Sequence, residues 1–144
     1  MPVDLSPRLA AVVDALPLKT GMRVLEIGCG PGAAARAVAQ RVGGGHVLGI
    51  DRSEKAITQA LAGSAAEIAA GSLSFRLVAV EDLELAPGEE PYDIAFAVRV
   101  GALDGRHPEI EQAAMVRIAS ALRKGGRLFL DGGSPLREVR VGAA

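Results

Sequence analysis

Three glycines at alternate positions, Gly28, Gly30 and Gly32, follow a short apolar run that carries one acid, Glu26, and precede a stretch of helix formers. Glycines this dense between a strand and a helix let the backbone turn sharply and take dihedrals closed to other residues. They also let a ligand approach the main chain without meeting a Cβ. The helix beyond them offers unpaired N–H groups and the positive end of a dipole. The chemistry that suits this spacing is the cradling of a small molecule or cofactor. Further charged residues stand at comparable places downstream: Asp51 with Arg52, Glu81 with Asp82, and Arg99.

The elements that must position these residues alternate between strand and helix. Ser6-Pro7 is a helix start, a capping hydroxyl followed by a proline whose missing N–H costs nothing there. Leu9, Val12, Val13 and Leu16 then share one helical face, and Pro17 stops the helix. Arg23 to Ile27 reads as the first strand, and the glycine loop leads to a second helix with Ala34, Val38 and Val42 inward. Val47 to Ile50 is a strand closed by Asp51. Ser53 caps a third helix with a stripe of Ile57, Leu61, Ser64 and Ile68, weakened at Gly63. Strands are expected at Leu73 to Val80, Tyr92 to Val98 and Arg127 to Leu130. A helix from Pro108 with inner residues Ile110, Ala114, Ile118 and Leu122 ends at Lys124-Gly125-Gly126. The tail carries one weak alternating run, Arg137 to Val141.

Strands with continuous apolar runs between helices indicate a parallel sheet covered on both faces. The expected fold is α/β, a Rossmann-like doubly wound sheet of five to six mainly parallel strands in the order 3-2-1-4-5. A clear hairpin of sixth and seventh strands is not expected. With right-handed crossovers, ligands sit at the carboxyl ends of the central strands, where the strand order reverses. The glycine loop, Asp51, Glu81-Asp82 and Arg99 all fall at such ends.

The chain of 144 residues suits one domain, residues 1–144, with a single core. A formal net charge of -1 provides no basic field for a nucleic-acid backbone. The aromatic side chains, Tyr92, Phe75, Phe96 and Phe129, leave little material for base stacking, so nucleic acid is not an expected partner. The single cysteine, Cys29, forms no intramolecular disulfide and no cysteine-built zinc site, and no metal is expected. Ile94 to Leu103 is too short to span a membrane, and Arg99 interrupts it. Met1-Pro2-Val3-Asp4 lacks the order of a signal peptide, so a soluble cytoplasmic protein is expected.

Two cofactor classes compete for the glycine loop. Gly28, Gly30 and Ala33 satisfy the dinucleotide pattern G-x-G-x-x-G/A, with Asp51 at a suitable distance for a ribose hydroxyl. Glu26 pulls the other way, since its charge is awkward beside a pyrophosphate and useful opposite an ammonium. Pro31 also removes an N–H that a diphosphate would want from the helix start.

Val24 to Gly32, V-L-E-I-G-C-G-P-G, closely resembles the first motif of class I S-adenosylmethionine-dependent methyltransferases. Gly49-Ile50-Asp51-Arg52-Ser53 is similar to their second-strand motif, and Val80-Glu81-Asp82-Leu83 to their third-strand loop. Tyr92 to Phe96 and Leu122 to Leu128 resemble the fourth- and fifth-strand regions. The resemblance runs from about Leu16 to Asp131 and implies S-adenosyl-L-methionine as cofactor. It implies that backbone around Gly28, Cys29, Gly30 and Gly32 approaches the methionine portion and ribose; Cys29, with no basic residue near it in sequence, reads as a small semi-buried residue rather than a nucleophile. Glu26 would hold the methionine ammonium directly or through water, and Asp51 would accept from both ribose hydroxyls. Arg52 would cover one adenine face. Glu81, Asp82 and Leu83 would border the adenine edge, and Arg99 would stand near the methionine carboxylate or the transferring methyl. One departure is clear: Val78 and Ala79 stand where the family often has glycine and aspartate.

The resemblance further implies methyl transfer to a small-molecule acceptor, with no catalytic residue identified. The alternatives are a cofactor-binding protein that lacks independent catalysis or needs a partner, and an NAD-dependent Rossmann oxidoreductase. An uncovered sheet edge beside the fifth strand would invite a second copy, or another partner, through Arg127 to Val141. His107, before Pro108, is open to two readings, a helix cap or a catalytic role, and Arg99 to an ion pair with Asp104.

Overall fold

The structure, a computed structural model, describes residues 5–141. Helix α1 spans Pro7–Ala15, with the Ser6 hydroxyl accepting the Leu9 N–H at 3.2 Å. Strand β1, Arg23–Ile27, is followed by α2, Ala33–Arg41, then by β2, His46–Asp51. Helices α3, Glu54–Gly63, and α4, Ala65–Ala69, precede β3, Leu73–Leu77. Strand β4, Tyr92–Ala97, leads through a short turn to α5, Pro108–Ala121, and the described chain closes with β5, Leu122–Asp131, and β6, Leu136–Val139. The sheet order is β3-β2-β1-β4-β5-β6, parallel except for β6, which runs antiparallel to β5.

Both faces of this sheet are covered, which is why its strands read as unbroken apolar runs. Val24, Val47, Ile94 and Phe96 pack with Val12 and Val13 of α1 and Ala34, Ala35 and Val38 of α2. Leu25, Ile27, Leu48, Ile50 and Leu128 face the other way, onto Ala114, Ile118 and Ala121 of α5. Successive residues of a strand point to opposite faces. Glu26 therefore shares the Val24 face and lies beneath α2.

Several expected elements shift for local reasons. β3 ends at Leu77 rather than Val80 because its partner ends there: Asp51, the last residue of β2, pairs with Leu77. Val80–Asp82 instead forms a tight helical turn. α5 ends at Ala121, and Leu122 already takes extended dihedrals and pairs with Tyr92. The following residues bulge out before Arg127 rejoins the ladder opposite Ile94. Gly126 permits this, since a Cβ there would lie 2.9 Å from the Arg123 carbonyl oxygen.

The chain breaks between α3 and α4 near Gly63, so the stripe expected on one helix does not continue. Leu61 is 46% exposed, and Ala60 takes the buried position beside it. The weak run near the C-terminus forms β6, with Arg127 and Glu138 bonded across the hairpin at 2.8 and 3.0 Å. The edge of β5, expected to be open, is thus covered by the chain itself, and β6 is the outer strand among the described residues.

Candidate functional site

A cavity of about 530 Å³ opens at the carboxyl ends of β1, β2 and β4, the place where the strand order reverses. Its floor begins at Gly28. The N–H groups of Gly28 and Cys29 both donate to the Ile50 carbonyl, at 2.8 and 2.9 Å, and draw the loop across the end of β2. Gly28 has φ 70°, and a Cβ on it would stand 2.7 Å from Val100 Cγ2. Val100 can pack over the loop only because that atom is missing.

Asp51 fastens the loop to the next helix. Its Oδ2 accepts the Gly30 N–H and its Oδ1 the Ser53 N–H, each at 2.9 Å. Ser53 itself caps α3, its hydroxyl accepting the Ala56 N–H at 3.1 Å. Asp51 is therefore a brace rather than the cap. Each of its oxygens keeps a further lone pair for an outside donor, and the residue lines the cavity with Arg52 beside it.

Glu26 is buried at 4% exposure, and its Oε1 has no hydrogen-bond partner among the described residues. Burial, and then the charge of Asp51, push its carboxyl well above the ordinary glutamate range, against a bond from the Ala35 backbone N–H. A buried carboxylate oxygen without a donor is costly. Its location under the start of α2 points to a missing cationic or N–H group. Cys29, also buried, has its thiol pushed up by burial and then by the charges of Glu26 and Asp51, which removes it as a nucleophile.

The structure brings Gly28, Asp51, Arg52, Glu81 and Arg99 together around this cavity. Arg99 adopts a left-handed conformation, φ 58°, just past β4, while Asp104 pairs with Arg106 at 2.7 Å rather than with Arg99. Cys29, Gly30, Gly32, Glu26, Asp82 and Leu83 are not in the lining. Gly32 serves packing: a Cβ there would meet Phe75 and Arg36 at 3.1 Å. Leu83 is buried in the core and Asp82 is exposed; the Asp82 N–H donates to the Ala79 carbonyl and the Leu83 N–H to the Val80 carbonyl.

Sequence reasoning missed the apolar wall, Val78, Val100 and Ile110, and the basic rim at Arg106. The signal for the wall was available, since Val78 directly follows β3 and Val100 lies three residues past the end of β4. His107 makes no side-chain cap on α5 and lines the cavity.

Residues 18–139 match the family model described as a methyltransferase domain. The chain is 39% identical to nocamycin O-methyltransferase of Saccharothrix syringae over 145 aligned positions, covering 94% of this chain and 48% of that protein. It is 36% identical to the ubiquinone biosynthesis O-methyltransferase of Rhizobium etli over 117 positions, covering 81% of this chain and 43% of the relative. The chain thus spans about half the length of these relatives. Among solved structures, phosphoethanolamine N-methyltransferase 2 of Haemonchus contortus in complex with S-adenosyl-L-methionine superposes with a TM-score of 0.67 at 28% identity, over 85% of this chain and 27% of that one. A methyltransferase of Thiobacillus denitrificans in complex with S-adenosyl-L-homocysteine gives a TM-score of 0.65 at 26% identity, over 88% and 48% of the two chains.

Proposed function

The chain belongs to the class I S-adenosylmethionine-dependent methyltransferase family, and from that premise we propose that it holds S-adenosyl-L-methionine as one domain and contributes to methylating a small-molecule acceptor. The observation that carries the choice of ligand is Glu26. A buried carboxyl oxygen lacking a donor suits the ammonium of a methionine moiety, whose charge would favour its ionised form on binding, whereas a dinucleotide pyrophosphate in the same cradle offers it neither a donor nor a cation.

Glu26 thus holds the ammonium, directly or through water, from beneath the loop of Gly28, Cys29, Gly30 and Gly32. Asp51, its carboxylate fixed by two backbone N–H groups, turns its remaining lone pairs to the ribose hydroxyls. Arg52 covers one adenine face, Glu81 borders its edge, and Asp82 and Leu83 form the turn that presents Glu81. Val78, Val100 and Ile110 exclude water, and Arg99 stands ready for the methionine carboxylate. The cofactor, when bound, supplies an activated methyl group and a neutral leaving group. What remains for the protein is chiefly alignment of donor and acceptor, which can supply about 7–11 kcal/mol of the barrier reduction. A proton-accepting side chain is required only when the acceptor must lose a proton.

The O-methyltransferase names of the two relatives favour an oxygen acceptor, and a cytoplasmic location is part of the same proposal. A second copy docking at the β6 edge is the proposed self-association, tested by solution mass as a function of concentration. Calorimetry with S-adenosylmethionine, S-adenosylhomocysteine and NAD tests the ligand. The two S-adenosyl compounds are expected to bind and NAD is not. Tight binding of NAD alone overturns the proposal.

A further inference from the structure

A second cavity, of about 280 Å³, adjoins the first across Arg99 and Val100, which line both. It sits at the carboxyl ends of β4 and β5, with Ala97, Leu103 and Leu130 as its apolar lining. Four charged side chains border it: Arg99, Asp104, Asp131 and Arg137.

The two acids are already engaged from outside the cavity. Asp131 pairs with Arg8 at 3.3 Å. Asp104 takes the Arg106 guanidinium at 2.7 Å and the Arg106 backbone N–H at 3.0 Å. Neither acid pairs with an arginine of the lining, and Arg99 and Arg137 have no ion-pair partner among the described residues. With the two carboxylates engaged by Arg8 and Arg106 from outside, Arg99 and Arg137 leave an excess of positive charge beside the apolar lining.

Arg137 owes its place to the hairpin. It stands opposite Leu130 in the β5–β6 ladder, so its side chain shares the Leu130 face of the sheet, the face on which this cavity opens. A planar guanidinium fork suits a carboxylate or a phosphate, and does so best where apolar walls limit competing water.

We propose that this second cavity is the acceptor's anionic subsite, in which Arg137 anchors a carboxylate or phosphate group of a small apolar molecule while Arg99, on the shared wall, serves the cofactor side. Arg137 is a positioning residue: it holds the far end of the acceptor while the atom to be methylated lies toward the shared wall. Identifying the anchored molecule as the acceptor rests on the methyl-transfer reading above, whereas anion binding can be measured with no S-adenosyl compound present.

Benzoate, phenyl phosphate and the neutral isostere benzamide serve as probes, titrated calorimetrically into the whole chain. At least one anion is expected to bind ten-fold or more tightly than benzamide, and whichever binds better identifies the preferred group. Arg137→Gln should weaken that anion at least five-fold, with part of the loss restored in Arg137→Lys. Arg140→Gln, which removes an exposed charge outside the lining, should not alter it. Saturating S-adenosylhomocysteine should leave the anion bound. Equal affinity for the anions and benzamide, an unaffected Arg137→Gln variant, or mutual displacement by S-adenosylhomocysteine each overturns the assignment. Loss of S-adenosylhomocysteine binding alone would instead strike the cofactor reading and leave anion binding measurable.

Discussion

Asp51 Oδ2 accepts the Gly30 backbone N–H at 2.9 Å, so the acid at the end of β2 holds the glycine loop that leaves β1. With Oδ1 on the Ser53 N–H, one side chain fixes two loops and is itself held still. A carboxylate oriented in this way has spent its conformational entropy before a ligand arrives, which favours binding.

Asp51→Ala is therefore expected to weaken S-adenosylhomocysteine binding by about 1–3 kcal/mol, through loss of a charged acceptor for ribose hydroxyls. The same variant leaves two backbone N–H groups without their bond, so thermal stability falls as well. An analogue lacking a ribose hydroxyl separates the effects. It should bind the wild type less well than the parent compound, yet bind Asp51→Ala with little difference. A drop in stability with unchanged affinity would restrict Asp51 to bracing the loops.

Glu26 predicts an unusual pH dependence for the unliganded chain. Its carboxyl is raised by burial and by Asp51, so folding takes up a proton there. The stabilisation belongs to the protonated form. It is complete below the ordinary glutamate value of 4.5 and is lost as pH rises through the higher folded value. Glu26→Gln should flatten the fall in melting temperature as pH rises above 4.5, and should lie above the wild type at the alkaline end of the range. S-adenosylhomocysteine affinity should fall about ten-fold or more, since a buried charge-assisted bond is worth roughly 1.5–3 kcal/mol. Parallel melting curves for the two proteins across that range would contradict the assignment of a protonated Glu26.

Gly28 meets two separate obstacles to substitution. Alanine at a positive φ costs about 1–2 kcal/mol, and its Cβ would press to 2.7 Å on Val100 Cγ2. Gly28→Ala should lower stability by more than the dihedral cost alone. Adding Val100→Ala should recover the steric part only, leaving the double variant still less stable than Val100→Ala by about 1–2 kcal/mol. Chemical denaturation of the four proteins in the cycle measures this. A purely additive cycle would mean the two residues do not press on each other.

Much of this site was legible because strand ends announce it. The β1, β2 and β4 runs, the Ser6 and Ser53 caps and the order of the parallel strands follow from local spacing, and the site residues fall at their carboxyl ends. What was not legible depends on partners distant in sequence. β3 stops at Leu77 because β2 has no residue left to pair, which no pattern within β3 records. Arg137 looked like part of a weak tail, and its position beside Leu130 exists only once the hairpin forms. His46 opens β2 with no signal of its partners in the neighbouring residues, and its ring lies 2.8 Å from both the Gly71 carbonyl and the Ser74 hydroxyl. The Arg99–Asp104 pair is absent because Arg106, two residues further on, reaches Asp104 through both backbone and side chain. Glu26 was read as charged, and burial beneath α2 reverses that expectation for the unliganded chain.

Glu89 makes the opposite prediction, on the acid side. It lies in the loop before β4 and gathers the Tyr92 hydroxyl at 2.6 Å, the Ala86 N–H at 2.7 Å and Arg76 at 3.0 and 3.1 Å. Burial alone would raise its carboxyl, but these donors outweigh that effect and hold it below the ordinary value of 4.5. The unfolded chain therefore takes up the proton first, and the ionised carboxylate stabilises the fold above that value. The contribution disappears as pH falls through the lower folded value. Glu89→Gln should lower stability by about 1–3 kcal/mol at neutral pH, since the amide cannot accept all of these bonds. As pH falls below 4.5 and through the lower folded value, the variant and wild type should converge. The loop lies away from the lining of the ligand cavity, so the same variant at neutral pH should keep its S-adenosylhomocysteine affinity within about two-fold. A stability difference that persisted unchanged into acid would show that Glu89 acts through packing rather than through its charge.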